Sequence, residues 1–311
     1  MRKIILLDLA NVFFRAFFAV PQKMPNNAVF GTVGIIFSIW EKFKPDQIFA
    51  FRDCREKTFR HEKFKNYKAQ RPPTPPNLVA QLPKIFQFFS ELKIPLFAEP
   101  GFEADDLIAT FCRNFCGDDR EILIVSTDGD LQSLTTEKNV FVLRPAGGSE
   151  FQKMDADAVR EKTGVAPEQI ADLKALSGDA ADNFPGIAGV GPKTAAQLLR
   201  EFQTLQNLGK NLEKIPGRPG KLLRENFAVA QEFKKISELN FAAPLPDNIL
   251  EIGKTAEFDF SSAKSFLENL KFWSLIRRVQ KLENPKSETE IGKSAREKAV
   301  VNRETPQLSL F

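Results

Sequence analysis

The stretch Ile122-Leu-Ile-Val125, followed at once by Ser126-Thr-Asp-Gly-Asp130, decides how the first half of the chain is read. A short apolar run of β-formers closed by small and acidic residues predicts a buried strand. Ile4–Leu7, Ile48–Phe51 and Val140–Leu143 repeat that pattern. Between these runs, Val29–Phe43, Leu78–Leu92 and Glu103–Phe115 carry helical patterns. Strand and helix alternation predicts an α/β domain, with a mainly parallel central sheet and helices on both faces. From about Asp155 the pattern becomes helical over Pro167–Leu176, Pro192–Phe202 and Ser261–Gln280. The expected organisation is an α/β part at 1–154, an α-rich part at 155–283 and a polar, flexible tail at 284–311.

Composition narrows the chemistry. The 311 residues are 42% hydrophobic, enough for a real core, and the 30 Phe fall largely in apolar runs, which reads as core packing. Lys and Arg total 44 against 40 acids, so net charge alone announces no nucleic-acid partner. The distribution says more: 52–71 is strongly basic, while the acids gather in short clusters. Cys54, Cys112 and Cys116 form no paired framework, as in a reduced cytoplasmic protein. His61 is the sole histidine, which removes His-based zinc hydrolysis and Ser-His or Cys-His nucleophiles. The N-terminus is too quickly acidic for a signal peptide, and no run reaches membrane-spanning length. A soluble, cytoplasmic monomer with no membrane partner is expected.

The acids follow the predicted strands. Asp8 ends the first, Asp53 follows the second by two residues, and Asp128 and Asp130 follow the third. In an open α/β sheet the crevice at the carboxyl ends of the strands is the usual ligand site. Glu103, Asp105 and Asp106 open a helix after Pro100-Gly101, and Glu103 and Asp106 share a face. Asp179 and Asp182 repeat that spacing. Acids at helix starts also serve as caps, and for Glu103–Asp106 alone the two readings are evenly matched. Together, converging carboxylates repel unless they share protons or bind cations. Oxygen ligands without histidine select hard cations, so Mg²⁺ or Mn²⁺ is expected. Two ions about 4 Å apart suit in-line phosphodiester hydrolysis.

Two elements suit DNA. Gly186-Ile-Ala-Gly189-Val-Gly191-Pro-Lys193-Thr194 is a glycine-punctuated turn between predicted helices, with the signature of a helix-hairpin-helix. Its backbone N–H groups, the following helix dipole and Lys193 suit phosphate contacts without base readout. The segment 57–71 interleaves Lys57, Arg60, Lys63, Lys65, Lys68 and Arg71 with Phe59, Phe64 and Tyr67. That mixture suits a single strand, but for this segment taken alone a solvated amphipathic helix is the commoner outcome. Arg71-Pro-Pro-Thr-Pro-Pro76 should form a stiff break.

Taken together, these strings resemble the 5′-nuclease (flap endonuclease) superfamily, especially the N-terminal 5′–3′ exonuclease domain of bacterial DNA polymerase I. The likeness runs from Met1 to about Leu282, through Leu7-Asp8 to Arg15, 59–62, Tyr67-Lys68 with Arg71-Pro-Pro, Glu103-Ala-Asp-Asp106, Asp128-Gly-Asp130, 177–183 and Gly186–Leu199. The resemblance implies a PIN-like 5′-nuclease fold. It also implies that Asp8, Asp53, Glu103, Asp105, Asp106, Asp128, Asp130, Asp179 and Asp182 bind two metal ions. Lys68 and Arg71 then lie near the scissile phosphate on a helical arch near 57–90, with Arg60 and Tyr67 as further DNA contacts. The hairpin, with Gly186, Gly189, Gly191, Lys193 and Thr194, is expected to hold duplex DNA and K⁺. The implied substrate is nicked or branched DNA with a 5′ end or flap, including RNA primers, in replication and repair. Departures from the family pattern are Leu9-Ala10 after Asp8, Arg52 before Asp53, Gly129 and Ala181. None removes a carboxylate.

Two rival functions are a DNA-binding relative that has lost catalysis and a PIN-type RNA-processing nuclease. The full set of acids argues against the first, and Gly186–Leu199 against the second. With no polymerase following, a stand-alone enzyme is expected. The string Gln307-Leu-Ser-Leu-Phe311 resembles the bacterial sliding-clamp binding motif. Gln307 would bond at a pocket rim while Leu308, Leu310 and Phe311 fill an apolar groove.

Overall fold

β1 (Arg2–Asp8), β2 (Gln47–Phe51), β3 (Leu96–Phe97), β4 (Arg120–Val125), β5 (Val140–Gly147) and β6 (Glu150–Met154) form one sheet in the order β3-β2-β1-β4-β5-β6. The computed structural model describes residues 1–54 and 56–283, so the clamp-motif string lies outside the described residues. β1 to β5 run parallel, and β6 returns antiparallel to β5. Sequence reading finds β1, β2, β4 and β5 as continuous apolar runs, and all are central or near-central. It misses β3, only two residues long, and β6, whose Glu-Phe-Gln-Lys-Met sequence suits a half-exposed edge.

Helices connect and cover the strands. In chain order they are α1 (Leu9–Ala19), α2 (Asn27–Phe43), α3 (Phe59–Lys63), α4 (Pro76–Val79), α5 (Leu82–Leu92), α6 (Ala104–Phe115) and α7 (Ala156–Thr163). There follow α8 (Ile170–Ser177), α9 (Pro192–Phe202), α10 (Leu205–Lys210), α11 (Gly217–Ser237), α12 (Phe260–Asn269) and α13 (Trp273–Glu283). Side chains alternate across each strand, so Ile4 and Leu6 join Leu107, Ile108 and Phe111 of α6 on one face, while Ile5 and Leu7 are buried on the other. The Phe-rich composition is largely core: Phe49 packs on Phe111 at 5.4 Å between ring centroids, and Phe51 on Phe97 at 5.6 Å.

Several expected helices divide. Leu78–Leu92 is α4 and α5, and Ser261–Gln280 is α12 and α13, with Lys271 in the left-handed region at φ 60°. The expected arch carries the short α3 and α4 before the longer α5, because Pro72, Pro73 and Pro75 lack the N–H groups a helix needs until Pro76 starts α4. Residues 1–259 form one compact unit, and a second begins at Phe260, its described part being α12 packed on α13. No helix among the described residues is long and apolar enough to cross a membrane.

Between α8 and α9 the chain doubles back on itself. Gly178 (φ +84°) and Gly186 (φ +62°) lie against each other, and a Cβ on Gly186 would stand 2.2 Å from the Gly178 nitrogen. Only glycine permits that contact. Ile187 and Val190 then enter a second core with Leu176, Leu199, Leu223 and Phe233.

Candidate metal and nuclease site

Parallel β1, β2 and β4 deliver their carboxyl ends to the same edge of the sheet. With β2 on one side of β1 and β4 on the other, this edge is where the strand order reverses. Asp8 closes β1 and caps α1. Its Oδ1 accepts the Asn11 N–H at 3.2 Å, and its Oδ2 accepts the Ser126 hydroxyl at 2.7 Å. The Ser126 Oγ in turn accepts the Asp128 N–H at 3.0 Å, and Asp128 Oδ1 accepts the Asp130 N–H at 2.9 Å. Asp53, two residues past β2, accepts the Ala104 N–H at the start of α6 at 2.8 Å.

Electrostatics divides the acids into two groups. In the first, burial pushes the Asp8 carboxyl up to about 7, with further elevation from the charges of Asp128 and Asp53 and opposition from its hydrogen bonds. Burial likewise pushes Asp105 well above the usual carboxylate range, helped by Asp128, Asp8, Asp53 and Asp130. Acids that raise one another in this way lack a counter-charge. In the second group, one oxygen each from Asp130, Asp179 and Asp182 lies within 4.8 Å of the others. That spacing and an all-oxygen donor set fit a hard divalent cation. Burial raises Asp130 to about 6 and raises Asp182, whereas at Asp179 burial is outweighed by Lys174 together with the Ala181 and Asp182 N–H groups, and the carboxyl is lowered.

A narrow cleft joins the groups, lined by Lys68, Arg71, Glu103, Asp105, Asp128, Asp130 and Asp182 among others. Lys68 sits in the left-handed region at φ 55° and its N–H donates to the Asp182 carbonyl. So pinned, its Nζ meets Glu103 Oε1 at 2.8 Å. Arg71 donates to Asp182 Oδ1 and to the Ala181 carbonyl, each at 3.0 Å.

Three sequence expectations change on contact with the structure. Asp106, fully buried, binds Arg60 through both oxygens at 2.8 and 2.7 Å and also accepts the Glu103 and Asn240 N–H groups. It caps α6 and neutralises a buried guanidinium, and does not line the cleft. Arg60 is 3% exposed and is held in the cleft wall by ion pairs to Asp106 and Glu103. Tyr67 is buried against Phe184, and its hydroxyl donates to Glu103 Oε2 at 2.9 Å. The family resemblance implies DNA contacts for both Arg60 and Tyr67. Both side chains are buried, yet both contribute to the cleft lining beside Lys68 and Glu103.

The family departures are accommodated. Leu9 is buried, Arg52 lies over the Phe86 ring, the Ala181 N–H donates to Asp179, and Gly129 adopts an ordinary right-handed conformation. At the hairpin, Gly189, Gly191 and Lys193 are exposed, and no side chain caps the N-terminus of α9. Gly186 is buried and serves packing.

Sequence reading missed Lys174. From α8 its ammonium pairs with Asp130 and, at 2.5 Å, with Asp179. Burial opposes its charge, but the two carboxylates outweigh burial and hold the proton. The available signal was a lone cation in the apolar helix turn Leu173-Lys-Ala-Leu176, just before Ser177-Gly-Asp179.

Comparison with known proteins agrees with this geometry. Residues 3–164 match the family model for the 5′-3′ exonuclease N-terminal resolvase-like domain, and 165–259 that for the 5′-3′ exonuclease C-terminal SAM fold. A 5′-3′ exonuclease of Aquifex aeolicus is 34% identical over 288 residues, covering 91% of this chain and 96% of that protein. DNA polymerase I of Bacillus caldotenax is 34% identical over 295 residues, covering 93% of this chain but only 33% of the polymerase. The chain thus spans about a third of the length of that relative. Among solved structures, the T5 D15 protein co-crystallized with metal ions aligns at a TM-score of 0.65 and 21% identity, covering 89% of this chain and 100% of that one. The catalytic core of Rad2 with DNA substrate aligns at 0.56 and 15% identity, covering 89% of this chain and 93% of that one. Both show the same α/β fold. The chain belongs to the 5′-3′ exonuclease family.

Proposed function

We propose that the protein is a Mg²⁺-dependent 5′–3′ exonuclease and structure-specific 5′ flap endonuclease, acting in primer removal and DNA repair. The observation that carries this reading is the meeting of Asp8, Asp53, Asp105, Asp128, Asp130, Asp179 and Asp182 around one end of the sheet, with Lys68 and Arg71 in the cleft wall. Asp8, Asp53, Asp105 and Asp128 would hold one ion, and Asp130, Asp179 and Asp182 a second, with Glu103 between the groups. Ions held by these residues would supply metal-assisted activation of water and charge stabilisation for the leaving 3′ oxygen. The protein's own groups set the rest. Ser126 and Asn11 fix the Asp8 carboxylate, and Asp53 is tied to the first turn of α6. Lys68 and Arg71 neutralise and orient the scissile phosphate.

The helix-hairpin-helix at Gly186–Leu199 would hold the duplex beside the cleft through Gly189, Gly191, Lys193 and Thr194, with K⁺ on its main-chain oxygens. The division into a nuclease part to about 154 and a DNA-holding part beyond it belongs to the same reading. So does clamp docking through Gln307, Leu308, Leu310 and Phe311, for which the string itself is the support. Cleavage of 5′-labelled flap, nicked and single-stranded DNA, with Mg²⁺, with Mn²⁺ and with chelator, tests the activity. Metal-dependent cutting at the flap junction supports it, and equal cutting of all three substrates would contradict structure specificity. Deletion of Gln307–Phe311 should abolish clamp binding while leaving basal cleavage intact. Unchanged clamp affinity would remove that role.

A further inference from the structure

Lys174 occupies the place where a cation belongs. Its ammonium lies between Asp130 and Asp179, at 2.5 Å from the latter, in a site where oxygens of Asp130, Asp179 and Asp182 approach within 4.8 Å. The Asp130 Oδ1 atom is buried and has no hydrogen-bond partner beyond this ion pair. Two acids of the second group, Asp130 and Asp179, are therefore neutralised from within by a side chain of α8, whereas among the described residues no lysine acts on Asp8 or Asp105 in this way.

We propose that Lys174 is a stand-in for the metal at Asp130, Asp179 and Asp182: it holds these carboxylates together in the metal-free protein and must withdraw when a divalent ion enters. The proposal rests on reading the cluster as a cation site. An ammonium and a divalent ion cannot share the same oxygens, since both fill the gap between them and they repel at contact distance. Lys174 thus weakens metal binding at this group alone. It also keeps the metal-free site assembled, because without it Asp130 and Asp179 would repel each other and push the α8–α9 loop away from the segment after β4. The residue acts on the reaction only by positioning Asp130 and Asp179 and setting how readily the second ion binds.

The test is a Mn²⁺ titration of the full chain followed by electron paramagnetic resonance, comparing wild type with Lys174→Met, which keeps the length and removes the charge. The wild type should bind two ions of unequal affinity. In Lys174→Met the weaker class should tighten by about ten-fold or more while the tighter class stays put. In chelator the variant should melt below wild type, and saturating Mn²⁺ should close that gap. Lys174→Arg, which preserves the charge, should keep the weak class weak, and covers the case in which the Met variant folds poorly. Unchanged or weakened Mn²⁺ binding in Lys174→Met would overturn the proposal. Absence of any Mn²⁺ binding by the wild type would instead overturn the cation-site reading beneath it.

Discussion

The Ser126 hydroxyl donates to Asp8 Oδ2 at 2.7 Å, and so joins the end of β1 to the loop that carries Asp128 and Asp130. This bond opposes the burial that lifts Asp8 to about 7, yet does not cancel it. Without a cation the fold keeps Asp8 protonated well above the pH at which a free carboxyl ionises.

That preference fixes a sign. An unfolded Asp titrates at 3.8, while folded Asp8 titrates at about 7, so its stabilising contribution is complete below pH 4 and is lost as pH rises to about 7. Asp8→Asn mimics the protonated form at every pH. In chelator, its stability relative to wild type should therefore rise between pH 4 and pH 7, by on the order of 3 kcal/mol. Urea denaturation across that range checks this, and a difference that does not change with pH would contradict it. Added Mg²⁺ should stabilise the wild type more than Asp8→Asn.

Arg60 and Asp106 form a buried pair between α3 and α6. Removing one member leaves the other's charge buried and uncompensated, so Arg60→Ala should destabilise the fold by about 3–5 kcal/mol. Joint replacement, Arg60→Met with Asp106→Leu, should recover much of that loss. Chemical denaturation of the singles and the double measures the coupling. If Arg60→Ala weakens DNA binding with no loss of stability, the residue is a DNA contact after all.

Lys193 is exposed at the first turn of α9. If the hairpin holds duplex backbone, Lys193→Ala should weaken duplex binding and reduce the slope of log affinity against log salt by about one. Fluorescence anisotropy at several salt concentrations reads this. An unchanged slope would make Lys193 an ordinary surface charge.

The parts legible in the sequence are those where one local rule decides the outcome. Ile4–Leu7 and Ile122–Val125 could only be buried strands, and the acids at their ends inherited their place from the sheet. β6 was invisible because its polar alternation fits an edge or a loop equally. Within 57–71 the burial of Arg60 and Tyr67 was hidden for a different reason. Spacing reveals that charges and rings alternate, but which side meets the core depends on Asp106 and Phe184, distant in the chain. Lys174 was hidden likewise, since a lysine on a helix reads as solvated until Asp130 and Asp179 are seen around it.

The central claim is that carboxylates from both groups act as one metal-binding nuclease site. Its most direct test is single-turnover cleavage of a 5′-labelled flap in Mg²⁺ by wild type, Asp128→Ala and Asp179→Ala, with DNA affinity measured in parallel in Ca²⁺. Loss of supporting residues around a metal costs about 10–100-fold, so loss of a direct ligand from either group should slow cleavage by at least about 100-fold. DNA affinity should hold or rise, because each change removes a negative charge facing phosphate. Wild-type cleavage rates in either variant would contradict the account.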